Sequence, residues 1–374
     1  MASFDFSSLE YVNTRALTCS AELRSQPDYF QVEESLPFIP DGEGGHVWLK
    51  IQKRGINTDW LAAELAKFAG VAQVAIGYAG LKDRHAITRQ WFSINLEGFE
   101  EPDWSLFETD DIQIVEQTRH GKKLKRGVLS GNTFMIRLTN IQGADDDWLL
   151  ALQQVKEQGV PNYFAEQRFG HNAGNLHRVD YWFSTGKAPR KRNQKSIYLS
   201  AARSWLFNLV LSERIKQKCW NTAVEGDVML LAGTKASLFN SDSVDAELTG
   251  RLESMDIHPT GPMWGRGQSA VSAACLELET EVLKEWALWQ QGLEKAGLSQ
   301  DRRSLRLFPR DFNWQFIDGQ QLELSFFLPA GCYATAVMRE LAVITDVQQR
   351  NYSKTQGLSE STPPEEKDSG HVDN

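Results

Sequence analysis

Strand-like segments lie towards both ends of the sequence, and a long stretch of different character separates them. Residues 160–305 are rich in helical periodicity and in glycine-punctuated loops. Strands before and after such an interruption usually belong to one sheet, so we expect an α+β (mixed α/β) protein with a helix-rich insertion. The segments that read as strands bounded by turn residues are 23–34, 46–52, 90–96, 112–116, 129–138 and 321–328.

The 374 residues are too many for one simple core and suggest about two domains. We place the sheet domain at residues 15–158 and 306–348 and the insertion at residues 159–305. Residues 349–374 contain several acidic side chains, two adjacent prolines and almost no large apolar residues. We therefore expect this last segment to be a disordered acidic tail.

Apolar periodicity and capping residues predict several helices. The clearest is residues 59–68, which follows a cap at Asn57 or Thr58. Residues 145–158 carry Trp148, Leu149 and Leu152 as a predicted apolar stripe. Further helices are predicted at residues 197–218, 279–296 and 334–343.

One short stretch, residues 75–91, concentrates reactive side chains behind small residues. The apolar run 71–76 is predicted to be a buried strand, and the Gly-Tyr-Ala-Gly of residues 77–80 follows it. Small residues here suggest a backbone that another group must approach closely. The next positions carry an amine, a carboxylate, a guanidinium and an imidazole: Lys82, Asp83, Arg84 and His85.

Asp83 stands between two cationic residues in this stretch. Opposite charges nearby favour the ionised carboxylate, so Asp83 is a candidate nucleophile or base rather than an acid. The alternative is a polar turn whose charges are simply solvated, since most charge runs lie on the surface.

The net charge of −9 by itself argues against nucleic-acid binding, but the basic residues are unevenly distributed. Two basic clusters in an acidic chain are compatible with a local phosphate-binding strip, and equally with two solvated loops. The first basic cluster is Arg119, Lys122, Lys123, Lys125 and Arg126; the second basic cluster is Lys187, Arg190, Lys191, Arg192 and Lys195.

Several classes of protein are disfavoured. No apolar run approaches the ~20 residues needed to cross a bilayer, and the first eleven residues lack the basic region of a signal peptide. The four cysteines lie far apart, and no HExxH or CxxC motif occurs. We therefore expect a protein of the reducing cytoplasm, without a structural metal or a disulfide framework.

Many aromatic residues sit beside turns or polar clusters. Most turn-adjacent aromatics are core corners, but a few near an ionised aspartate would suit a pocket for a flipped base. A base stacked on such a ring gains roughly 1–3 kcal/mol, comparable with the few kcal/mol needed to extrude a nucleotide. The candidates are Phe30, Tyr78, Trp91, Phe134, Tyr163, Phe164, Phe169 and Tyr333.

Six segments spread over residues 20–345 carry a more specific pattern. They are Arg24 with Phe30, residues 79–83 (Ala-Gly-Leu-Lys-Asp), 131–134 (Gly-Asn-Thr-Phe), 162–170 (Asn-Tyr-Phe-Ala-Glu-Gln-Arg-Phe-Gly), 199–203 (Leu-Ser-Ala-Ala-Arg), and 328–331 (Leu-Pro-Ala-Gly) with Ala334-Thr335. In this order they resemble the signature segments of the tRNA pseudouridine synthase D (TruD) family.

The resemblance implies a pseudouridine-synthase-like catalytic domain with a largely antiparallel mixed sheet flanked by helices. A TruD-specific insertion domain would interrupt it, with a basic cleft between the two. It also implies isomerisation of uridine 13 of certain tRNAs to pseudouridine, without a cofactor. We expect tRNA as the partner, no membrane, no obligatory protein partner, and a monomer.

The resemblance also assigns roles to residues. Asp83 matches the catalytic aspartate. Arg24 stands where the family places a basic residue near that aspartate, although lysine is expected there, and Ala165 replaces a more usual glycine. The predicted substrate-binding residues are Arg24, Phe30, Lys82, Asn132, Phe134, Asn162, Gln167, Arg168 and Phe169; the predicted tRNA-backbone contacts are Lys122, Lys123, Arg190, Lys191 and Arg192.

Two other functions remain as alternatives. An RNA chaperone would flip or unfold tRNA without chemistry. A carboxylate glycoside hydrolase needs a pair of carboxylates, for which Glu33, Glu34 and Glu166 are candidates. For an isomerase, Asp83 can act by covalent attack or by proton abstraction at C2′ of the ribose, and the sequence leaves both routes open.

Overall fold

The computed structural model of the protein describes residues 4–234, 236–241 and 243–350. The predicted acidic tail spans residues 349–374, and all of it except residues 349 and 350 lies outside the described residues. No helix in the described ranges is long and apolar enough to cross a membrane.

The chain forms two compact units, which we call the sheet unit and the helical unit. The described residues of the sheet unit belong to Ser20–Gln142, Asn313–Ser325 and Ile344–Asn374. Those of the helical unit belong to Met1–Cys19, Gly143–Phe312 and Phe326–Val343. The domain boundaries given above stay a prediction.

Runs of strands and single or paired helices follow one another along the chain. In chain order the strands are β1 (Ser20–Leu23), β2 (Phe30–Ser35), β3 (His46–Arg54), β4 (Ile76–Tyr78), β5 (Ile87–Asn95), β6 (Ile112–His120), β7 (Gly131–Gln142), β8 (Val160–Pro161), β9 (Val228–Leu231), β10 (Leu238–Asn240), β11 (Ile257–Met263), β12 (Asp301–Ser304), β13 (Arg306–Leu307), β14 (Arg310–Asp318), β15 (Gln321–Pro329) and β16 (Val343–Asp346). The helices are α1 (Thr58–Phe68), α2 (Asp145–Gln158), α3 (Gly174–Thr185), α4 (Arg192–Lys216), α5 (Ala246–Glu253), α6 (Ala273–Leu283), α7 (Ala287–Lys295) and α8 (Ala334–Arg339).

Ten of the described strands form one mixed sheet. Its main path runs β14-β15-β7-β2-β5-β3-β6, while β4 pairs with β5, and β1 pairs with both β7 and β16. β2 is parallel to β5, with Val32 opposite Thr88, and antiparallel to β7, with Val32 opposite Phe134. This mixed sheet, with the helices of the chain, confirms the predicted α+β class.

The core of the sheet unit forms where helix α1 packs on the sheet. Asn57 caps the helix, since its Oδ1 accepts a hydrogen bond from the N–H of Asp59 at 2.8 Å. Leu61 and Leu65, one turn apart, are fully buried with Leu49 and Phe92 of the sheet. Burial of this apolar face, more than helix propensity, stabilises so short a helix.

In the helical unit, helix α4 is the central element. It packs against α3, α6, α7 and β11, and Trp205, Leu206 and Phe207 are among its buried residues. Strands β10, β9, β11 and β12 form a four-stranded sheet in that order, and β8 pairs with β13. The region predicted to be rich in helix and loop therefore also contains a small sheet.

The prediction of a buried strand at residues 71–76 is wrong. Gln73–Ala75 form a 3₁₀ turn, strand β4 begins only at Ile76, and Val74 is 80% exposed. Gly70 ends helix α1 with φ +65°, so the chain must turn before it can enter the sheet. An apolar run without alternation does not distinguish such a turn from a buried strand.

Several helix boundaries also differ from those predicted. Helix α4 begins at Arg192 rather than residue 197, and its N-cap, Lys191, makes no side-chain capping bond, so no cap signal marked that end. The predicted helix 279–296 is divided into α6 and α7 by a 3₁₀ turn at Lys284–Trp286.

Helix α8 ends at Arg339, and residue 343 already begins β16, which pairs with β1. The sequence nearby contains no stop signal, so a tertiary pairing ends the predicted helix 334–343 early. In α2 the predicted bounds are confirmed, but Leu149 is 45% exposed and lies outside the apolar stripe.

The first and last residues of the Gly-Tyr-Ala-Gly segment, Gly77 and Gly80, provide a test of local packing. A Cβ added at Gly77 would clash with the backbone carbonyl oxygen of Leu124, whereas a Cβ at Gly80 meets nothing within 4 Å. We expect Gly77→Ala to lower the free energy of unfolding by about 1–3 kcal/mol because the backbone must shift. The matched control, Gly80→Ala, should change it by less than about 0.5 kcal/mol. Urea denaturation measures both, and equal effects would contradict this packing.

Candidate active site

The predicted catalytic residue lies on a loop between β4 and β5 that several backbone bonds hold in place. The carbonyl oxygens of Ala79 and Ala86 accept hydrogen bonds from the N–H groups of Gly127 and Gly55, at 2.7 and 3.2 Å. The N–H of Lys82 donates to the hydroxyl of Thr58 at 3.1 Å. A loop fixed at several points gives a functional side chain a defined position.

Asp83 presents its carboxylate to solvent from this loop. Its side chain is 45% exposed, and its Oδ1 accepts a hydrogen bond from Nη1 of Arg24 at 3.1 Å. Among the described residues, its Oδ2 has no hydrogen-bond partner. A guanidinium that donates to a carboxylate stabilises the anion. Asp83 therefore has one oxygen held and the other open, as a nucleophile or base requires.

Arg24 is buried behind Asp83, with its side chain only 8% exposed. Its other edge, Nε and Nη2, donates to the carboxylate of Asp346 on β16. Its backbone has a φ of +58°, and its carbonyl oxygen accepts a hydrogen bond from Gln348 at 3.0 Å. Left-handed backbone is uncommon for a residue other than glycine and is maintained only where the surroundings fix it.

Phe30, Phe134 and Asn132 lie on the neighbouring strands β2 and β7. The rings of Phe30 and Phe134 meet edge to face at 6.2 Å, and the guanidinium of Arg24 lies 5.8 Å from the centre of the Phe30 ring. Asn132 is directly opposite Glu34 in the ladder, and its Oδ1 is buried without a hydrogen-bond partner. The structure thus brings Phe30 next to the cation that binds Asp83, with Phe134 packed against Phe30.

Lys82, predicted to bind substrate, is adjacent to Asp83 in sequence, but its ammonium group bonds elsewhere. Its Nζ lies 2.7 Å from Oε2 of Glu34, and both side chains are almost completely buried. Removing one partner of such a pair would leave a buried charge uncompensated. Lys82 therefore anchors the loop to strand β2.

Lys53 was missed in the sequence. It is fully buried on β3, where its Nζ donates to the carbonyl oxygen of Ile56 at 2.6 Å and to that of Asp83 at 3.4 Å. Burial lowers its pKa from the ordinary 10.5 to about 8; the charge of Asp83 opposes this shift, and that of Lys82 adds to it. The alternation of Val47, Leu49 and Ile51 places Lys53 on the same inward face, so the pattern did contain a signal.

The remaining predicted substrate-binding residues lie in the helical unit. The Oδ1 of Asn162 accepts a bond from Arg303 at 2.7 Å, and its Nδ2 donates to Ser304. Gln167 is exposed. Arg168 is half-buried near the ring of Phe164. Phe169 is in the core, edge to face with Trp205 at 5.6 Å.

The two basic clusters lie in different units. In the sheet unit, Arg119 and Arg126 of the first basic cluster face carboxylates of Glu101 and Asp59, whereas Lys122 and Lys125 are exposed. In the helical unit, all five cations of the second basic cluster precede or begin helix α4, and none of them has a carboxylate within 4 Å among the described residues.

Two of the three carboxylates proposed for a glycoside hydrolase, Glu33 and Glu34, are already engaged in ion pairs. Glu34 belongs to the buried pair with Lys82. Glu33 is partly buried, which raises its pKa, but Lys50 and Arg89 outweigh burial and the pKa is lowered overall. A general acid needs a raised pKa instead. Glu166 is exposed in the helical unit.

Comparison with known proteins identifies the family. The model of a family described as tRNA pseudouridine synthase D (TruD) matches residues 8–189 and 180–341. A tRNA pseudouridine synthase D of Nitrosococcus oceani is 48% identical over 324 residues, which cover 86% of this chain and 90% of that protein. Another, from Aeromonas hydrophila subsp. hydrophila, is 49% identical over 326 residues, which cover 87% and 92%.

The fold agrees with a solved structure. A crystal structure described as tRNA pseudouridine synthase D (TruD) from Methanosarcina mazei has a TM-score of 0.68 and 22% identity, covering 89% of this chain and 95% of that one. A pseudouridine-synthase-like fold is therefore confirmed. The chain belongs to the tRNA pseudouridine synthase D (TruD) family, and by family it is a pseudouridine synthase, an isomerase.

The buried lysine gives a prediction for pH. Between about pH 8 and pH 10.5, the unfolded chain binds a proton at Lys53 that the folded protein does not, so the free energy of unfolding gains up to about 3 kcal/mol from this group as pH rises. We expect Lys53→Met to lose this rise, because the group that titrates is gone.

Urea denaturation at a series of pH values measures the effect as the difference between variant and parent. Lys67→Met, at an exposed lysine of helix α1, is the control and should retain the rise. A parallel pH dependence for Lys53→Met and the parent would contradict the lowered pKa.

Proposed function

We propose that the protein isomerises uridine 13 of tRNA to pseudouridine with Asp83 as the catalytic aspartate. The observation that carries this proposal is the exposed carboxylate of Asp83, fixed on its loop and bonded at 3.1 Å to the buried guanidinium of Arg24. Family membership supplies the reaction class. The geometry supports the choice of the reacting group.

The reaction moves the ribose from N1 to C5 of the same uracil. The N1–C1′ bond breaks, the base turns while bound, a C5–C1′ bond forms, the proton on C5 is released to solvent, and N1 takes up a proton in its place. An ionised Asp83 serves either route, attack on the sugar or base, or removal of the C2′ proton. In both, Arg24 would help to stabilise negative charge that develops near Asp83.

Phe30, Phe134 and Asn132 are the proposed contacts for the flipped base. The unpartnered Oδ1 of Asn132 is an acceptor suited to the N3–H of uracil. Both rings are more than 90% buried, so a base would meet their edges rather than open faces. Hydrogen bonding to the base edge together with aromatic contact is how enzymes hold an extruded base.

The first test removes the charge of Asp83 while keeping its shape. Asp83→Asn should abolish tritium release from tRNA that carries [5-³H]uridine, because the amide can neither attack nor accept a proton at neutral pH. Asp110→Asn, at an exposed turn in the sheet unit, should retain full activity. Pseudouridine mapping of the product tRNA would identify the modified position.

Three results would reject the proposal. Wild-type protein that releases no tritium from any cellular tRNA is not this isomerase. If Asp83→Ala leaves both tRNA binding and the biological effect intact, the protein is instead an RNA chaperone. Release of free uracil would indicate a glycoside hydrolase.

We also propose that the two basic clusters contact the tRNA backbone. In the second basic cluster, Lys191 and Arg192 occupy the N-terminus of helix α4, which is the positive end of the helix dipole. The first turn of the helix contains no acidic residue. Cations there repel the dipole, so a bound phosphate would offset an unfavourable arrangement. Lys122 and Lys125 supply exposed positive charge in the first basic cluster.

Charge reversal tests this role of the clusters. Lys122→Glu with Lys123→Glu, or Arg190→Glu with Lys191→Glu and Arg192→Glu, should raise KM for tRNA several-fold. They should also flatten the salt dependence of binding, by about 0.7–0.9 in slope for each phosphate that the protein no longer neutralises. Steady-state kinetics at several salt concentrations measures both effects.

A double reversal at Lys67 and Lys216 is the matched control, since each of these exposed lysines already faces a glutamate one turn away. It should leave KM and the salt slope almost unchanged. If the cluster variants behave like this control, both clusters are solvated loops.

A further inference from the structure

Two arginines share one aromatic ring in the helical unit. The guanidinium carbon of Arg303, on β12, lies 4.2 Å from the centre of the Phe164 ring, and that of Arg168 lies 5.5 Å from it. Guanidinium groups are attracted to aromatic faces, but two of them on one ring also repel each other. The arrangement concentrates positive charge at one place.

No carboxylate compensates this charge among the described residues. In the described part of the chain, no carboxylate oxygen lies within 4 Å of the guanidinium of Arg168 or Arg303. The Nε atoms of both arginines are buried without a hydrogen-bond partner. By contrast, the buried Arg214 of the same unit lies 2.7 Å from Asp227. Cations removed from water are normally paired in this way, whereas Arg168 and Arg303 are both partly buried without a carboxylate partner.

Arg303 is held in a fixed orientation. Its Nη2 donates to Oδ1 of Asn162 at 2.7 Å and to the carbonyl oxygen of Gly331 at 3.1 Å. Burial lowers the pKa of Arg303, and the charge of Arg168 adds to this effect. The group remains protonated at neutral pH because an arginine starts from so high a value.

We propose that Arg168 and Arg303 form a phosphate-binding site, and that its ligand is a phosphodiester of the RNA substrate. Planar guanidinium forks match phosphate oxygens in pairs, and an anion between the two arginines would relieve their repulsion. Asn162, Gly331 and Phe164 then have a common role, which is to orient Arg303. The choice of RNA as ligand rests on the function proposed above.

The test measures tRNA binding rather than turnover. In full-length protein carrying Asp83→Asn, the dissociation constant for tRNA is determined at several salt concentrations. Arg168→Gln should weaken binding by about three- to tenfold and lower the slope of log Kd against log salt concentration by about 0.7–0.9. Arg303→Lys keeps the charge but loses the fork, so it should weaken binding while retaining most of the slope.

Arg251→Gln is the matched control. Arg251 also lies over an aromatic ring in the helical unit, 5.3 Å from the centre of Phe239, but it is paired with Asp256 at 2.6 Å. It should leave both the affinity and the slope unchanged. Circular dichroism confirms folding, and Arg303→Lys provides the second test if Arg168→Gln does not fold.

The outcomes separate this inference from the proposed function. Unchanged affinity and slope in folded Arg168→Gln and Arg303→Lys, or no tRNA binding by the parent, would overturn the inference. If inorganic phosphate stabilises the parent but not Arg168→Gln, and the tRNA slope does not change, the site binds free phosphate and the RNA assignment is wrong. If Arg168→Gln changes the slope while the wild-type protein, with Asp83 intact, releases no tritium from tRNA, the site is supported and only the isomerase is rejected.

Discussion

The position of one buried guanidinium determines the geometry of the candidate site. Arg24 lies between the carboxylates of Asp83, whose side chain is 45% exposed, and Asp346, whose side chain is only 11% exposed. Placing a cation beneath the surface is costly, and anionic partners offset that cost. Asp346 supplies such a partner through a salt bridge to one edge of the guanidinium. The remaining edge of Arg24 can therefore donate to Asp83. Arginine is suited to this role because its planar fork reaches two carboxylates at once, whereas an ammonium group provides a single point of charge.

The surrounding groups hold the Arg24–Asp83 pair in place. Lys82 and Glu34 form a buried ion pair that fixes the loop to strand β2, and Lys53 binds a backbone oxygen of the same loop from below. Buried charges of this kind contribute little net stability because their desolvation is costly. What they provide is a defined loop conformation, and a site whose groups are already oriented needs less reorganisation during reaction.

Much of the sheet unit could be predicted from the sequence because its signals are local. Alternation in β3 and β7 and the cap at Asn57 depend on neighbouring residues only, and the structure has β3, β7 and helix α1 close to the predicted bounds. The run 71–76 and the end of helix α8 were mispredicted, because a turn after Gly70 and the pairing of β16 with β1 override local preference. Local periodicity cannot encode a partner strand that lies elsewhere in the chain.

The sequence alone determined the class of fold, the family and Asp83 as the leading catalytic candidate, because each depends on short contiguous patterns. The tertiary structure decided which charges meet. Arg24 and Asp346 are 322 positions apart and Asn162 and Arg303 are 141 apart, so their contacts exist only once the strands have paired. It also gave Lys82 an anchoring contact with Glu34, because the strand next to the loop supplies a buried carboxylate nearer than that of Asp83. Electrostatic interactions act through distance in space, and the fold alone sets that distance.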